Sequence, residues 1–332
     1  IELEFLARVD VDIDVELTGF STPDIDMILN PLDEDDIEEA PPPPPDIENT
    51  VSRSGDLWQV GQHRVSCGDT RDPDVVARLM DRRCARMVLT DPPYNVAIDG
   101  HVCGLGQVKH EEFIMASGEM SQDEFVDFLI ASLFLLAQAS MDGSLHYIFM
   151  DWRHIEELMA AGNRVYNTLV NLCVWAKTNG GMGSFYRSQH ELVFVFRKGV
   201  KSHINNVELG KHGRYRTNLW SYPGVNTFGN ERDEALAMHP TVKPARLVMD
   251  AILDASKRGD IILDGFLGSG TTLIAAEQTG RICHGIELDP RYVDVTLRRW
   301  MNAGGPSPVH VDTGKTFDEL ASLKVAKATC EV

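Results

Sequence analysis

A short run of residues, Asp91-Pro92-Pro93-Tyr94, has the side chains needed to hold an amino group for chemistry. It follows the apolar stretch Met87–Leu89, which is typical of a buried strand. A carboxylate and a proline carbonyl can together accept both hydrogens of an exocyclic amine, and the tyrosine ring offers a face for a base. A simple strand terminator would explain the prolines but neither the aspartate nor the tyrosine. The run therefore predicts a site for a nucleobase amine.

A second run, Ile261–Thr272, passes from an apolar stretch through a glycine loop into the start of a helix. Such a loop lets the backbone approach a ligand closely. A phosphate-binding loop would need a lysine that is missing here, and a dinucleotide fingerprint would need a third glycine where Leu273 stands. The next apolar stretch ends in Glu287, whose carboxylate could hold both hydroxyls of a ribose. These residues favour a nucleoside ligand without phosphates.

The elements that must position these residues follow from the alternation of apolar stretches. Leu57–Val60 and His63–Cys67 predict a hairpin, and the strands and helices after it alternate, which is typical of an α/β protein with a doubly wound, mostly parallel sheet. We expect strands at Arg86–Thr90, Ser144–Met150, Thr168–Trp175, Glu191–Arg197, Asp260–Leu263 and Ile282–Ile286. We expect helices at Gln122–Ala139 behind a Ser121/Glu124 capping box, Arg153–Ala161, Pro244–Ala255, Thr271–Thr279 and Pro290–Asn302.

The charges and prolines divide the chain. The net charge of the 332 residues is −19, but residues 1–50 alone hold sixteen acidic residues and one basic residue. They include a predicted strand, Val9–Leu17, a helix starting near Ser21, and the spacer Pro41–Pro45. We therefore expect an acidic N-terminal segment with a proline-rich linker (1–50), a main domain (51–306) and a C-terminal tail (307–332). Within the main domain, residues 95–120 and 177–238 are long and irregular, which is typical of functional regions.

Several classes of protein are disfavoured. The six cysteines show no Cys-x-x-Cys or His/Cys pairing, which argues against a zinc site and a disulfide framework, so no metal is expected. The longest apolar run, Phe125–Ala139, is too short to span a bilayer, and no signal peptide heads the sequence. We expect a cytoplasmic protein. Since the first residue is Ile1 rather than methionine, we also expect a piece of a longer chain.

Taken together, Asp91–Tyr94, the loop Phe266–Gly270 and the run His239–Pro244 resemble the DNA amino-methyltransferases. Within them the chain is similar to the β-ordered group, in which the catalytic motif precedes the cofactor motif. The resemblance covers about Gly55 to Gly304 and implies the Rossmann-like methyltransferase fold. One departure is Gly265, where the family more often has proline.

The resemblance implies S-adenosylmethionine as cofactor. Phe266 to Gly270 would surround its methionine part, Glu287 would hold its ribose, and Asp69 would contact its adenine. The segment with His239, Thr241 and Lys243 would close the pocket near the cofactor carboxylate. The full set of expected cofactor-binding residues is Asp69, His239, Thr241, Lys243, Asp264, Phe266, Gly268, Ser269, Gly270, Thr271 and Glu287.

The resemblance further implies methylation of adenine N6 in double-stranded DNA, after the base has been flipped out of the duplex. Asp91, Pro92, Pro93 and Tyr94 would be the catalytic residues. Residues 177–238 would form the target-recognition region, because eight Lys or Arg and only two acidic residues lie between Ala176 and Arg216. We expect its Lys177, Arg187, Arg214 and Arg216 to bind nucleic acid, and a solvated charged surface is the alternative.

Other functions remain open at this point. Methylation of cytosine N4 uses the same geometry, although that activity more often goes with serine in place of Asp91. A catalytically inactive DNA-binding regulator and an enzyme acting on RNA or protein are further alternatives. The first 50 residues resemble the connector behind a ParB-like domain, which we expect to be missing from this chain. A restriction-modification role and a homodimer are compatible with the sequence but not set by it.

Overall fold

The computed structural model describes residues 22–29, 44–45, 47–96, 118–180, 185–211, 213–223 and 243–330. Within these ranges, ten strands form one mixed sheet in the order β10-β1-β2-β9-β8-β3-β4-β6-β5-β7. The strands are β1 (Leu57–Val60), β2 (His63–Cys67), β3 (Ala85–Thr90), β4 (Ser140–Met150), β5 (Thr168–Ala176), β6 (His190–Arg197), β7 (Leu219–Ser221), β8 (Ile261–Asp264), β9 (Ile282–Glu287) and β10 (Val309–His310).

The centre of the sheet is parallel. Strands β2, β9, β8, β3 and β4 pair in parallel, so their carboxyl ends meet at one edge of the sheet, which we call the carboxyl edge. Because β6 runs antiparallel between β4 and β5, the end of β5 and the start of β6 lie at this edge too. Ligands of open α/β sheets bind outside the carboxyl ends of the strands. The carboxyl edge is therefore where a site is expected.

Helices cover both faces of the sheet. The described helices are α1 (Thr22–Leu29), α2 (Pro73–Met80), α3 (Gln122–Gln138), α4 (Ile155–Val165), α5 (Ala245–Ala255), α6 (Thr271–Gln278), α7 (Pro290–Asn302) and α8 (Phe317–Cys330). Helices α2, α3 and α4 pack on one face, and α5, α6, α7 and the start of α8 pack on the other. Along β3, Val88 packs on the face of the sheet covered by α2, α3 and α4. Met87 and Leu89 pack on the opposite face, which α5, α6, α7 and the start of α8 cover. No helix in the described ranges is long and apolar enough to cross a membrane.

The fold class predicted from the sequence is confirmed. The hairpin has the predicted bounds, and each of the six predicted strands and five predicted helices of the main domain has a counterpart in the structure. The capping box at the start of α3 is present, with Ser121 and Glu124 bonding to each other's backbone. The predicted strand Val9–Leu17 lies outside the described residues.

The prediction that residues 307–332 form a tail is wrong. Strand β10 pairs antiparallel with β1, opposite Trp58 and Gln59, and so belongs to the main sheet. Phe317, the first residue of α8, is 1% exposed and lies edge-on to the Trp58 ring. A strand of two residues has no sequence period that could be recognised, so the sequence does not predict β10.

The N-terminal segment also contacts the main domain. Asp26 of α1 is 1% exposed and accepts hydrogen bonds from both terminal nitrogens of Arg281, at 2.9 and 2.7 Å. Arg281 is itself fully enclosed, and Arg258 bonds to the same carboxylate at 3.2 Å. A buried guanidinium needs a compensating charge. Helix α1 therefore neutralises a buried charge of the main domain and is not only part of a linker.

Candidate active site

Two neighbouring strands bring the two sequence motifs together at the carboxyl edge. Strand β3 ends at Thr90, directly before Asp91, and β8 ends at Asp264, directly before the glycine loop. The Thr90 hydroxyl donates a hydrogen bond to Asp264 Oδ1 at 2.9 Å and accepts one from the Gly265 amide at 3.2 Å. The ends of β3 and β8, next to the expected catalytic and cofactor motifs and more than 170 residues apart in sequence, are thus joined by direct hydrogen bonds.

Asp264 organises the glycine loop. Its carboxylate accepts hydrogen bonds from the Phe266 amide at 3.0 Å and from the Thr272 hydroxyl at 2.6 Å, besides that from Thr90. Burial raises the pKa of Asp264 to about 6, while these hydrogen bonds oppose the rise. Asp264 therefore shapes the loop, and its expected contact with the cofactor stays a prediction.

The loop turns into α6 with a left-handed residue. Gly270 caps the helix with φ +84°, and a Cβ there would lie 2.7 Å from Thr296 Cγ2, so only glycine fits. Thr296 donates a hydrogen bond to the Gly268 carbonyl at 3.0 Å. Arg299 donates hydrogen bonds to the Ser269 carbonyl at 3.3 Å and to the Thr271 hydroxyl at 3.0 Å. Helix α7 therefore holds the loop from behind, with Thr271 turned toward Arg299.

The structure accounts for Gly265, the departure from the family pattern. Its amide donates the hydrogen bond to Thr90, which a proline could not make. Its carbonyl accepts a hydrogen bond from the Thr70 hydroxyl. A Cβ at this position would lie 2.9 Å from Thr70 Cγ2 and 3.0 Å from Leu136 Cδ1. Thr70 and Leu136 thus fill the space that a larger residue would need.

Glu287 ends β9 beside the loop. Its carboxylate accepts hydrogen bonds from the Gly268 amide and the Asp289 amide, each at 2.8 Å, one on each oxygen. Each carboxylate oxygen has two acceptor positions, so one remains on each for a further donor. Burial raises the pKa of Glu287 to about 7, and the two backbone hydrogen bonds oppose the rise. The carboxylate is well placed to accept hydrogen bonds from a pair of hydroxyls.

Asp69 lies next to Glu287, because the Gly68 amide donates a hydrogen bond to the Glu287 carbonyl at 2.9 Å. Its carboxylate is held by Arg71, whose Nε and Nη2 donate at 3.0 and 2.7 Å. Burial alone would raise the pKa of Asp69, but the hydrogen bonds from Arg71 outweigh this effect and lower the pKa. Arg71 also lies over the Phe128 ring, and Phe128 in turn contacts Phe266. Asp69 thus lies beside Glu287 and is ion-paired with Arg71, and its contact with the cofactor adenine stays a prediction.

The catalytic motif is part of an ion-pair network that the sequence did not reveal. We call Asp91, Glu191, Lys177 and Lys243 the catalytic cluster. Lys243 Nζ donates a hydrogen bond to Asp91 Oδ2 at 2.6 Å and lies 3.0 Å from Glu191 Oε2. Lys177 Nζ donates to the other Glu191 oxygen at 2.5 Å. Two lysines thus neutralise two carboxylates at the carboxyl edge.

Tyr94 joins this cluster through its hydroxyl, which lies 2.5 Å from Asp91 Oδ1 and 3.2 Å from Glu191 Oε2. Burial raises the pKa of the Tyr94 hydroxyl, so its one hydrogen stays in place and is donated mainly to Asp91, with Glu191 as the more distant acceptor. Lys243 Nζ lies 5.8 Å from the centre of the Tyr94 ring. Tyr94 is therefore fixed at its hydroxyl end and covered by a cation on one face.

The position of Lys243 corrects a prediction. It was expected near the cofactor carboxylate, but it is ion-paired to Asp91 and Glu191 and surrounded by the rings of Phe149 and Trp175. The reason is that α5 begins at Ala245 and packs on the sheet beside β3, which turns the preceding lysine toward Asp91. His239 and Thr241 lie outside the described residues.

Glu191 was missed as a functional residue. One signal was present: a charged residue stands directly before the apolar run Leu192–Phe196 at the start of a buried strand. Burial alone would raise the pKa of Glu191, but the charges of Lys243 and Lys177 outweigh this effect and lower the pKa to about 2. Its charge is therefore permanent at any physiological pH.

Two of the four residues expected to bind nucleic acid, Arg214 and Arg216, are ion-paired with carboxylates of α5. Together with Asp250 and Asp254 they form what we call the anchor cluster. Arg214 is 4% exposed and donates to Asp254 Oδ1 at 2.7 Å, and Arg216 Nε donates to Asp254 Oδ2 at 3.1 Å. The prediction that Arg214 and Arg216 contact DNA is therefore corrected to a structural role, because buried carboxylates already neutralise their charges.

The other two lie near the carboxyl edge. Lys177 belongs to the catalytic cluster and lies 4.6 Å above the Trp175 ring. Arg187 is exposed, and its Nη2 donates a hydrogen bond to the Gly180 carbonyl at 2.7 Å. A contact of Arg187 with DNA stays a prediction.

The fold and the edge define a class of enzyme that acts on a nucleobase amine with the help of a nucleoside-type cofactor. The family model described as DNA methylase matches residues 85–298, well over half of the chain, and the chain belongs to this family. A second model, the ParB-methyltransferase HTH domain, matches residues 1–54. The expectation that the ParB-like part is missing is therefore wrong for this segment.

Similar proteins agree with the family. The type II methyltransferase M2.LlaDCHI of Lactococcus lactis subsp. cremoris is 28% identical over 66% of this chain and 82% of that protein. The DNA adenine methyltransferase YhdJ of Escherichia coli K12 is 24% identical over 73% of this chain and 81% of that protein.

Two solved structures share the fold. The cytosine-N4-specific PvuII DNA methyltransferase has a TM-score of 0.56 at 15% identity and covers 82% of this chain and 95% of its own. The M1.HpyAVI complex with SAM has a TM-score of 0.51 at 20% identity and covers 72% of this chain and 98% of its own.

Proposed function

We propose that the chain transfers a methyl group from S-adenosylmethionine to N6 of adenine in DNA. The observation that carries this is the Asp91 carboxylate at the carboxyl edge, linked through Thr90 and Asp264 to a glycine loop and to the Glu287 carboxylate. The similar proteins support adenine as the methylated base, since YhdJ is named a DNA adenine methyltransferase.

The residues at the cofactor side fit S-adenosylmethionine. Glu287 would accept hydrogen bonds from the two ribose hydroxyls with the acceptor position left on each oxygen. Gly268 has φ +55°, and a Cβ built there would meet no atom within 4 Å, so the backbone is open on this side for the methionine part. When bound, the cofactor supplies an electrophilic methyl group on a sulfonium.

Asp91 would orient the amine. The lone pair of adenine N6 is delocalised into the ring, so the nitrogen is a poor nucleophile until its hydrogens are held out of plane. Asp91 Oδ1 and Oδ2 each accept one hydrogen bond from the protein, which leaves acceptor positions for an N6 hydrogen. The Pro92 carbonyl would accept the second hydrogen. As the N6–methyl bond forms and the methyl–sulfur bond of the sulfonium breaks to leave a thioether, N6 loses one proton, for which Asp91 would be the adjacent acceptor.

Tyr94 and Lys243 would support this geometry. The adenine would stack on the face of the Tyr94 ring opposite Lys243, while the Tyr94 hydroxyl stays bonded to Asp91. Burial raises the pKa of Asp91, and the Lys243 charge opposes the rise. Lys243 would therefore keep the carboxylate ionised before the reaction, and Lys243 with Tyr94 would fix its orientation.

Product analysis tests this function. The chain is incubated with unmethylated double-stranded DNA and S-adenosylmethionine labelled in its methyl group, and the nucleosides are separated by mass spectrometry. We expect label in N6-methyladenine. Label in N4-methylcytosine would overturn the base, as the structural likeness to PvuII methyltransferase makes this the main rival. Label only in RNA or protein, offered in parallel, would overturn the substrate.

A further inference from the structure

Two aromatic rings stand exposed on the connection between β5 and β6. Phe185 is 84% exposed and Tyr186 is 81% exposed. Their ring centres lie 4.4 Å apart in an edge-to-face arrangement. Large apolar side chains that project together into solvent mark a binding surface more often than isolated ones do.

The base of this connection is fixed to the catalytic cluster. Lys177 follows β5 and Glu191 begins the buried part of β6, and the two are ion-paired at 2.5 Å. Gln189 and Lys177 are joined by two further hydrogen bonds, the Lys177 amide to the Gln189 carbonyl at 2.9 Å and Gln189 Nε2 to the Lys177 carbonyl at 2.8 Å. The connection that carries the aromatic pair therefore starts and ends at the carboxyl edge, where Asp91 also lies.

We propose that Phe185 and Tyr186 enter the DNA stack and occupy the gap that the target adenine leaves when it turns out of the duplex. This inference rests on the proposed function, since it requires a flipped base at Asp91. Extruding a base removes its stacking on both neighbours, and an aromatic side chain is a sequence-tolerant replacement for a base in a stack. Apolar side chains that enter between base steps are a known means of opening a duplex.

The chemistry of the pair favours bases over a protein partner. Arg187 follows directly and is exposed, so a cation of the kind that suits a phosphate lies beside the rings, while its Nη2 also donates to the Gly180 carbonyl. The two aromatic rings are adjacent in sequence and cross edge-to-face, so one can stack on a base while the other packs against its side.

Rescue by a weakened base pair tests the proposal. The double variant Phe185→Ala, Tyr186→Ala is compared with the parent on two duplexes that carry the methylated site, identified beforehand from the parent's products. In one duplex the target adenine faces thymine, and in the other it faces an abasic site. We expect the single-turnover rate to fall about ten- to a hundredfold on the paired duplex and to return within about threefold of the parent on the abasic duplex.

Two further variants act as controls. The exchange Phe185→Tyr, Tyr186→Phe keeps both rings and should keep the parental rate on both duplexes. Tyr215 is 84% exposed, as Phe185 is, but precedes β7 away from the carboxyl edge, so Tyr215→Ala should not change either rate.

Each outcome decides the proposal. A double alanine variant with the parental rate on the paired duplex would overturn it, and so would a loss of rate that the abasic duplex does not restore. A change in oligomeric state with the same unrestored loss would assign the pair to a second copy of the chain. If the parent itself methylates no adenine, the proposed function fails, which is a separate result.

Discussion

The catalytic cluster and the anchor cluster are both built from two carboxylates and basic side chains, but they have different roles in the molecule. Each links residues between 177 and 216 to the region around α5, and Arg246 adds a third basic side chain to the anchor cluster, 3.4 Å from Asp250. The difference lies in access. The Asp91 side chain is 24% exposed at the carboxyl edge, whereas those of Asp250 and Asp254 are 5% and 9% exposed. A partly open carboxylate can accept a substrate hydrogen, while an enclosed one can only hold the fold together.

The comparison explains how a basic segment can be misread. The residues between Ala176 and Arg216 look like a surface for phosphates, because the carboxylate partners of Arg214 and Arg216 lie outside this segment. Asp254 lies 40 residues beyond Arg214, and Lys243 reaches Asp91 across 152 residues. Counting charges therefore identifies basic segments but not the cations that are already neutralised.

Removing one cation from the anchor cluster should have the largest effect. Arg214→Met leaves Asp250 and Asp254 enclosed with one fewer partner, so we expect the free energy of unfolding to fall by about 3 kcal/mol. Urea denaturation measures this. Arg187→Met is the control, since an exposed side chain should change stability by less than about 0.5 kcal/mol. If Arg214→Met keeps parental stability but loses DNA affinity, the anchor cluster is a DNA-binding surface after all.

Lys243 is the cation that Asp91 and Glu191 of the catalytic cluster share, and its removal should affect the rate of methyl transfer and its pH dependence. Lys243→Met leaves Asp91 without its cation and Glu191 with Lys177 alone, so the pKa of Asp91 should rise most. The acid limb of the pH–rate profile should then move upward by about one to three pH units. Rates are measured in single turnover from pH 5 to 9.

Lys198→Met is the matched control for this variant, because Lys198 bonds to the Ser140 carbonyl at the end of the sheet opposite the carboxyl edge. Its pH–rate profile should match that of the parent. An unshifted profile for Lys243→Met would show that Lys243 does not set the ionisation of Asp91.

Glu287 differs from the carboxylates of both clusters, because backbone amides and not cations bind it. The pKa of Glu287 is raised to about 7, so the ionised form that accepts ribose hydroxyls is lost as the pH falls through this value. The affinity for S-adenosylmethionine should fall by about tenfold from pH 8 to pH 6. Glu287→Gln should bind more weakly at pH 8 and lack this component. Calorimetry at both pH values tests it, and equal pH dependence in parent and variant would remove Glu287 from the cofactor site.

The parts of the molecule that were predictable depend on local sequence. The capping box of α3, the hairpin of β1 and β2, and the glycine loop each lie within about a dozen residues, and all three have the predicted form. Helix α2 is not predicted, although Asp72 and Pro73 provide a normal start. Strand β7 has only three residues, too few to show a recognisable period, and is not predicted either.

The candidate site was only partly predictable. Asp91, Tyr94 and Glu287 could be selected because each follows or ends a recognisable strand. Glu191 and Lys243 could not be assigned to Asp91, because their roles arise when β6 and the start of α5 meet at the carboxyl edge. Residue type and position along a strand are readable in sequence, but the partner of a buried charge is set by the tertiary fold.

The role of Asp91 is tested most directly by separating binding from chemistry. In Asp91→Ala the strand, the prolines and the glycine loop remain, so the affinities for S-adenosylmethionine and DNA should stay within about twofold of the parent. The single-turnover rate of N6-methyladenine formation should fall by at least about a hundredfold, the scale for losing one aimed electrostatic partner in a transition state. Asp72→Ala, an exposed helix cap, should keep the parental rate. Parental methylation by Asp91→Ala would contradict the assignment of the catalytic cluster.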